Sequence, residues 1–296
     1  MIMKALLTFL LIFSTNVVFS ETVRIQLDSM YLKDEIKINA DYYTNSSANN
    51  SVAISIHGTR GFKNMEVISV LSENLLDLNI DTIAPNISYG INDRGNEFLS
   101  CDIKHLHNRH ENINEIIRWF LFAVERDYNN IILIGHSRGG QDIMHAYEKI
   151  LKIYPSESEK ISSIVLLAPL TDNLEDINNS LEESNNMTIN ALLEKDKDKL
   201  IKINFLSCPN TTVKVSSFLS YYNISPHEQI TQMLKDIKIN TYVFTASEDV
   251  FVPKTHSKIS NIINENIKLI QIDGSDHFFR DLFLDEVIEN LANFIE

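Results

Sequence analysis

Residues 131–140 read IILIGHSRGG, and within them Gly135-His136-Ser137-Arg138-Gly139 is a G-x-S-x-G pattern. An apolar strand-like run precedes it and a helical period follows it. In that context the pattern turns the chain sharply and lifts a serine hydroxyl above the carboxyl edge of a sheet. The glycines are read as the residues that permit the turn. Ser137 is therefore the candidate nucleophile of an acyl-transfer reaction. The alternatives are a purely structural turn, or the same fold used without catalysis as a binding scaffold.

Working outward, short apolar runs alternate with helical periods. Val52 to Ile56 reads as a strand that stops at His57-Gly58, and Asn64 to Leu78 as a helix with Val67, Val70, Leu71 and Leu75 on one face. A strand at Asp81 to Ala84 follows, then a helix at Ile113 to Glu125, the strand Ile131 to Ile134, a helix at Gln141 to Lys152 and a strand at Ile161 to Leu167. The tail adds a strand at Thr241 to Thr245, a helix at Lys254 to Asn264, a strand at Lys268 to Ile272 and a helix from Phe279. Ahead of all this, VRIQL and IKINADYY alternate as an antiparallel entry hairpin. The rhythm predicts an α/β fold with a mostly parallel sheet covered by helices on both faces. Two stretches break it: the long loop Pro85 to Asn112, and Thr171 to Lys238, which reads as a largely helical cap inserted between two strands. In that insertion Ser225-Pro226-His227-Glu228 is a capping box that predicts a helix running to Ile237.

A serine hydroxyl needs a base near neutral pH. In the order serine, acid, histidine, the base belongs to the loop after the last strand, where KLIQIDGSDHFF supplies His277; His256 is its competitor, inside an expected helix. The acid belongs after the preceding strand, where YVFTASEDVFVP offers Asp249, with Glu248 and Asp172 as alternatives. The oxyanion needs two backbone N–H donors. One falls to Arg138, the residue after the nucleophile, and the other to Thr59 in IHGTRG.

With these four loops identified, the chain resembles the α/β-hydrolase superfamily, in its bacterial esterase, lipase and serine-aminopeptidase-like branch. IHGTRG is similar to the oxyanion loop, GHSRGG to the nucleophile elbow, ASEDVFVP to the acid loop and GSDHFF to the histidine loop, in the family's order from Val52 to the C-terminus. The resemblance implies an α/β-hydrolase fold: an eight-stranded, mostly parallel sheet with helices on both faces and a cap between the sixth and seventh strands. The core is then residues 21–170 and 239–296, with the cap at 171–238. The resemblance also implies a serine hydrolase acting on carboxylic esters, less readily on amides, through a Ser137-His277-Asp249 triad, an acyl-enzyme and no cofactor. Arg60 and Arg138 depart from the small or apolar residues common in the two active loops.

The 296 residues, 44% hydrophobic and 22% charged, suit a folded globular chain, and the formal charge of −14 repels phosphate backbones, which excludes nucleic acid as a partner. A small-molecule ester or acyl compound is the expected partner. Lys4 ahead of the apolar run Ala5 to Phe13, with Val18-Phe19-Ser20 before Glu21, predicts a cleaved secretory leader over residues 1–20, and hence a periplasmic or secreted protein without a membrane anchor after cleavage. Cys101 and Cys208 are the only cysteines. Export would let them form a disulfide, with two buried free thiols as the equal alternative. CDIKHLHNRHE raises a zinc-dependent hydrolase as a rival reading, with His105, His107, His110 and Asp102 as ligands, although the spacing matches no metal signature. No metal is expected. The pair Tyr221-Tyr222 is read as core packing before pocket lining.

Overall fold

The computed structural model describes residues 20–29, 36–45 and 49–295. The leader expected over residues 1–20 lies outside the described residues except for Ser20, which opens the first strand. Among the described residues no helix is long and apolar enough to cross a membrane.

Eight strands form one sheet in the order β1-β2-β4-β3-β5-β6-β9-β10. β1 (Ser20–Asp28) and β2 (Lys37–Asn45) form the antiparallel entry hairpin, and β2 lies antiparallel to β4 (Ile80–Asn86). β3 (Ser51–Ile56), β5 (Asn130–His136), β6 (Ile161–Leu167), β9 (Asn240–Ala246) and β10 (Ile267–Ile272) continue in parallel from β4.

The central strands read as unbroken apolar runs because both of their faces are buried. On β5, Ile131 and Leu133 join one core cluster while Ile132 and Ile134 join the other; on β6, Ile164 and Leu166 face one side and Val165 and Leu167 the opposite. α2 (Arg109–Glu125), with Trp119 and Phe120, and α3 (Arg138–Ile153), with Ile143 and Ile150, cover the first face. α1 (Glu66–Asp77) and the last helix, α10 (Leu282–Ile295), cover the other.

Several elements differ from the sequence expectation. α2 starts at Arg109 instead of Ile113, because Asn108 and Glu111 form a capping box one turn earlier. A short helix, α4 (Pro155–Ser158), precedes β6. Helix α9 covers only Thr255–Ser260, and α10 opens at Leu282, after Phe279 and Asp281 have taken left-handed backbone angles.

Between β6 and β9 the chain builds α5 (Leu174–Asn185), α6 (Ile189–Leu193), a separate antiparallel hairpin of β7 (Leu200–Phe205) and β8 (Cys208–Lys214), then α7 (Val215–Tyr222) and α8 (Ile230–Lys235). The insertion is thus part hairpin rather than helical throughout. The Ser225–Glu228 capping box does form, but it closes one 3-10 turn, and Gln229 is extended before α8 begins.

Candidate active site

At the turn between β5 and α3 the backbone strain falls on the serine. Ser137 has φ 54° and ψ −120°, a backbone region costly for any residue with a Cβ. Three hydrogen bonds pin it: its N–H to the Leu167 carbonyl at 2.8 Å, and its carbonyl accepting from Gly140 at 3.1 Å and Leu170 at 3.2 Å.

The neighbouring glycines serve close approach. A Cβ on Gly135 would stand 2.5 Å from the Gly139 carbonyl oxygen and the Gly140 backbone, and one on Gly139 would stand 2.5 Å from the carbonyl oxygens of Ile56 and His57. Among the eight glycines only Gly90 and Gly274 have positive φ, so the elbow glycines are needed for space and not for their torsion angles. α3 starts at Arg138, and the first N–H groups of a helix have no partner within it.

The loops after β9 and β10 bring acid and base together. Asp249 Oδ2 lies 2.7 Å from His277 Nδ1, both nearly buried. Asp249 Oδ1 accepts from the N–H groups of Phe251 at 2.8 Å and Val252 at 2.9 Å. Burial pushes the Asp249 carboxyl up, but the hydrogen bonds from His277 and these two N–H groups outweigh it, so the group is held below its ordinary value. With Nδ1–H given to Asp249, His277 Nε2 is left as an acceptor.

Ser137 and His277 line one pocket of about 620 Å³, without a hydrogen bond between them in this structure. Apo sites often hold that contact open until substrate arrives. The other residues weighed as acid or base are set apart. Glu248 is exposed, His256 bonds to Thr245 Oγ1 at 2.9 Å on α9, and Asp172 lines the pocket wall. Burial raises the Asp172 carboxyl despite the nearby Arg138 charge.

Gly58, Thr59 and Arg60 line the pocket beside Ser137. The N–H of Arg60 is taken by the Tyr89 hydroxyl at 3.1 Å and that of Gly61 by the Gly58 carbonyl at 3.0 Å. The N–H groups of Gly58 and Thr59 make no hydrogen bond to another described residue and remain available to a bound oxygen. The loop is held from behind by a buried histidine and a buried arginine. His57 donates from Nδ1 to the Gly58 carbonyl at 2.9 Å and accepts at Nε2 from the Ile87 N–H at 3.1 Å. Burial, with the adjacent Arg94 charge, lowers the His57 pKa to about 3, so it stays neutral. Arg94 reaches the carbonyls of Gly61 at 2.5 Å and Ile87 at 2.7 Å and the Asn86 side chain at 2.5 Å. His136, next to Ser137, donates from Nε2 to the His277 carbonyl at 2.9 Å and is likewise lowered to about 3 by burial and by His277. Sequence reasoning missed Arg94, Tyr89 and this role of His57, because a lone arginine or tyrosine in a polar loop carries no periodic signal.

Cys101 and Cys208 are bridged, their Cα atoms 5.3 Å apart, which joins the long loop to β8. Of the three histidines read as zinc ligands, only two meet. His105 Nδ1 and His107 Nε2 are 3.2 Å apart, His107 Nδ1 is 2.9 Å from the Tyr221 hydroxyl, and His110 and Asp102 are exposed. Burial lowers the pKa of His105 to about 4 and of His107 to about 3, fitting neutral rings in an aromatic cluster with Phe205 and Tyr221. Among the described residues no three His, Cys, Asp or Glu side chains are grouped to hold a metal ion. Tyr221 is core while Tyr222 lines the pocket, with cap residues Ile177, Leu181, Phe205, Leu206 and Phe218.

Solved structures with similar folds span nearly the whole chain. Est1E from Butyrivibrio proteoclasticus, in a structure with ferulic acid bound, is 20% identical with a TM-score of 0.65 over 92% of this chain and 97% of its own. The α/β hydrolase GrgF from Penicillium is 13% identical with a TM-score of 0.63, over 93% and 96%. Dienelactone hydrolase from Anabaena variabilis is 11% identical with a TM-score of 0.56, over 93% and 97%. At these identities the likeness carries the fold alone. A search of curated proteins finds no sequence match. The family model described as a protein of unknown function, DUF1749, matches residues 94–290, most of the sequence. The chain therefore belongs to the DUF1749 family, and it has the α/β-hydrolase fold.

Proposed function

We propose that the protein is an exported serine hydrolase that cleaves carboxylic esters, in preference to amides, through Ser137, His277 and Asp249. The observation that carries this reading is the 2.7 Å contact between Asp249 and His277, in a pocket that also holds Ser137 on a strained elbow.

His277 Nε2 takes the Ser137 proton as Oγ bonds to the ester carbonyl carbon. The carbonyl π electrons move to oxygen, and that oxyanion is held by the N–H groups of Thr59 and Arg138. Collapse breaks the bond to the alcohol oxygen, which leaves with the proton from His277. Water then repeats the sequence on the acyl-enzyme and restores the serine. Asp249 keeps His277 in the required tautomer and stabilises the imidazolium that forms at each stage. No step calls on a cofactor.

Export is supported by the Lys4 and apolar-run pattern and by the Cys101–Cys208 bridge, since disulfides persist in oxidising compartments. N-terminal sequencing of the natural product should begin at Glu21. The activity is tested by a fluorophosphonate probe, which should label Ser137, and by Ser137→Ala, which should lower kcat on p-nitrophenyl esters by about 10⁶-fold while leaving the circular dichroism unchanged. Near-normal turnover by Ser137→Ala would end the reading.

A further inference from the structure

The proposed reaction leaves two pocket residues without a role: the side chains of Arg138 and Arg60. Arg138 is only 6% exposed, yet it lines the pocket beside the nucleophile. Its Nε donates to Thr59 Oγ1 at 3.3 Å, and its guanidinium lies 5.5 Å from the Tyr222 ring centroid and 5.7 Å from that of Tyr221. Its terminal nitrogens make no hydrogen bond to any other described residue. Arg60 stands on the facing loop with φ 56°, donating to the Leu99 carbonyl and to Cys101 Sγ, both at 2.9 Å.

The arginine ion pairs among the described residues are Arg24–Asp93, Arg109–Asp142, Arg118–Glu125 and Arg280–Asp276. Neither pocket arginine is among them, although the chain carries 40 carboxylates against 26 lysines and arginines. Of the acidic groups on the pocket wall, Asp176 is taken by Lys258 at 2.7 Å, and Asp172 lies beyond ion-pair distance of either guanidinium. The other titratable groups facing the pocket are His136, His277 and Tyr222. Asp172 is near enough to feel the Arg138 charge but makes no direct ion pair with it, and a nearly buried cation without a direct ion pair is costly. That cost is offset when the ligand supplies the charge.

Resting on the serine-hydrolase reading, we infer that the pocket selects esters that carry a carboxylate on one arm, held by Arg138 with Arg60 facing it. An aromatic and aliphatic wall of Phe205, Leu206, Phe218 and Tyr222 would cover the rest of the substrate. Arg138 then has two separable parts. Its N–H serves the oxyanion, and its guanidinium sets specificity.

The test compares matched pairs differing in one charge: p-nitrophenyl hemiglutarate against p-nitrophenyl pentanoate for the acyl arm, and 4-acetoxybenzoate against phenyl acetate for the alcohol arm. In one pair kcat/KM should favour the anion by about 10- to 100-fold, the scale of a charge-assisted hydrogen bond. Arg138→Gln should reduce that ratio to near unity, chiefly through KM, and Arg138→Lys should restore part of it. Both pairs equal in the natural protein, or a ratio that survives Arg138→Gln, would overturn the inference.

Binding is read separately, as the thermal upshift of Ser137→Ala protein with monomethyl glutarate and with methyl pentanoate. An anion-selective upshift that Arg138→Gln removes supports the inference even where fluorophosphonate labelling and turnover are absent, in which case only the hydrolase reading falls. Equal upshifts overturn it.

Discussion

Replacing Gly139 with alanine sets two physical effects against each other. Gly139 lies in the first turn of α3, where alanine is the better helix former by about 1 kcal/mol, and its φ is not positive. Propensity alone predicts a more stable protein. The added Cβ, however, would stand 2.5 Å from the carbonyl oxygens of both Ile56 and His57 and 3.0 Å from the Ile56 carbonyl carbon. Ordinary contact begins near 3.4 Å, so one side must retreat by about 0.9 Å. Both obstacles are backbone, with no flexible side chain to swing away, which places the cost at the upper end of the roughly 1–3 kcal/mol typical of overpacking. The net expectation is a loss of about 2 kcal/mol, or about 4–8 °C in Tm for a chain of this size. The retreat also separates the α3 terminus carrying Ser137 from the β3 end that leads into Thr59. A misplacement near 1 Å costs on the order of 10² in turnover. The assay is a thermal melt with kcat on an activated ester, beside Gly95→Ala, whose Cβ would meet nothing within 4 Å and should leave both unchanged. A Gly139→Ala protein with an equal or higher Tm and kcat within about twofold of the parent would refute the packing argument.

Three further outcomes are expected. Asp249→Asn should lower kcat by about 10³- to 10⁴-fold, while Glu248→Gln and Asp172→Asn each cost less than about tenfold; a crippling Asp172→Asn would move the acid to the loop after β6. Intact protein should show no alkylatable thiol before reduction, and replacing both Cys101 and Cys208 with serine should cost about 2–5 kcal/mol, since the bridge closes a sequence separation of 107 residues; an unchanged urea midpoint would contradict this. Glu115 is wholly buried against Ser88, and burial raises its carboxyl to about 7. A group raised in the folded state binds its proton more tightly there, so its contribution is full below about pH 4.5 and is lost as pH rises to about 7. Glu115→Gln should flatten the fall in Tm across that window, and an unaltered pH profile would exclude Glu115 as its source.

The parts of the molecule legible in the sequence are those whose local pattern and tertiary role coincide. β6 was bounded at Ile161 and Leu167 because an apolar strand in the middle of a sheet is buried on both faces and flanked by turns. The loops carrying Ser137, Asp249 and His277 are legible because the chain order of strands fixes which loops emerge at the carboxyl edge of the sheet. The β7–β8 hairpin was missed for two reasons. LIKINF does alternate, but it follows a charged stretch that reads as helix, and its turn is Leu206-Ser207, two left-handed residues without the asparagine or glycine that usually signals one. Arg94 was illegible for a different reason. Beside the Asn86 and His57 side chains, its partners are the carbonyls of Gly61, Ile87 and Glu97, and a backbone acceptor leaves no trace in composition.

The long loop between β4 and α2 links the 171–238 insertion to the loop that carries Thr59. Its Arg94 fixes Gly61 from behind, its Tyr89 hydroxyl receives the Arg60 N–H, and its Leu99 N–H bonds the Arg60 carbonyl at 2.9 Å. Two residues later Cys101 is bridged to Cys208 at the start of β8, and His105 pairs with Thr212 and Lys214 of the same strand through backbone bonds of 2.9 and 3.0 Å. The hairpin held in this way supplies Phe205, Leu206 and Ser207 to the pocket wall. The backbone of Ser137 is pinned by Leu167 of β6, Gly140 of α3 and Leu170 just after β6. The hairpin side of the pocket wall and the Thr59 loop are therefore tied together through the long loop, while the turn of Ser137 meets the Thr59 loop through the Arg138–Thr59 hydrogen bond and the close packing of Gly58 and Gly139. Breaking the disulfide is expected to loosen the hairpin wall first, since no backbone hydrogen bond of Ser137 runs to it. For that reason the cysteine variant is expected to lose KM and substrate discrimination while Ser137 keeps its reactivity toward a small fluorophosphonate that makes little use of the wall.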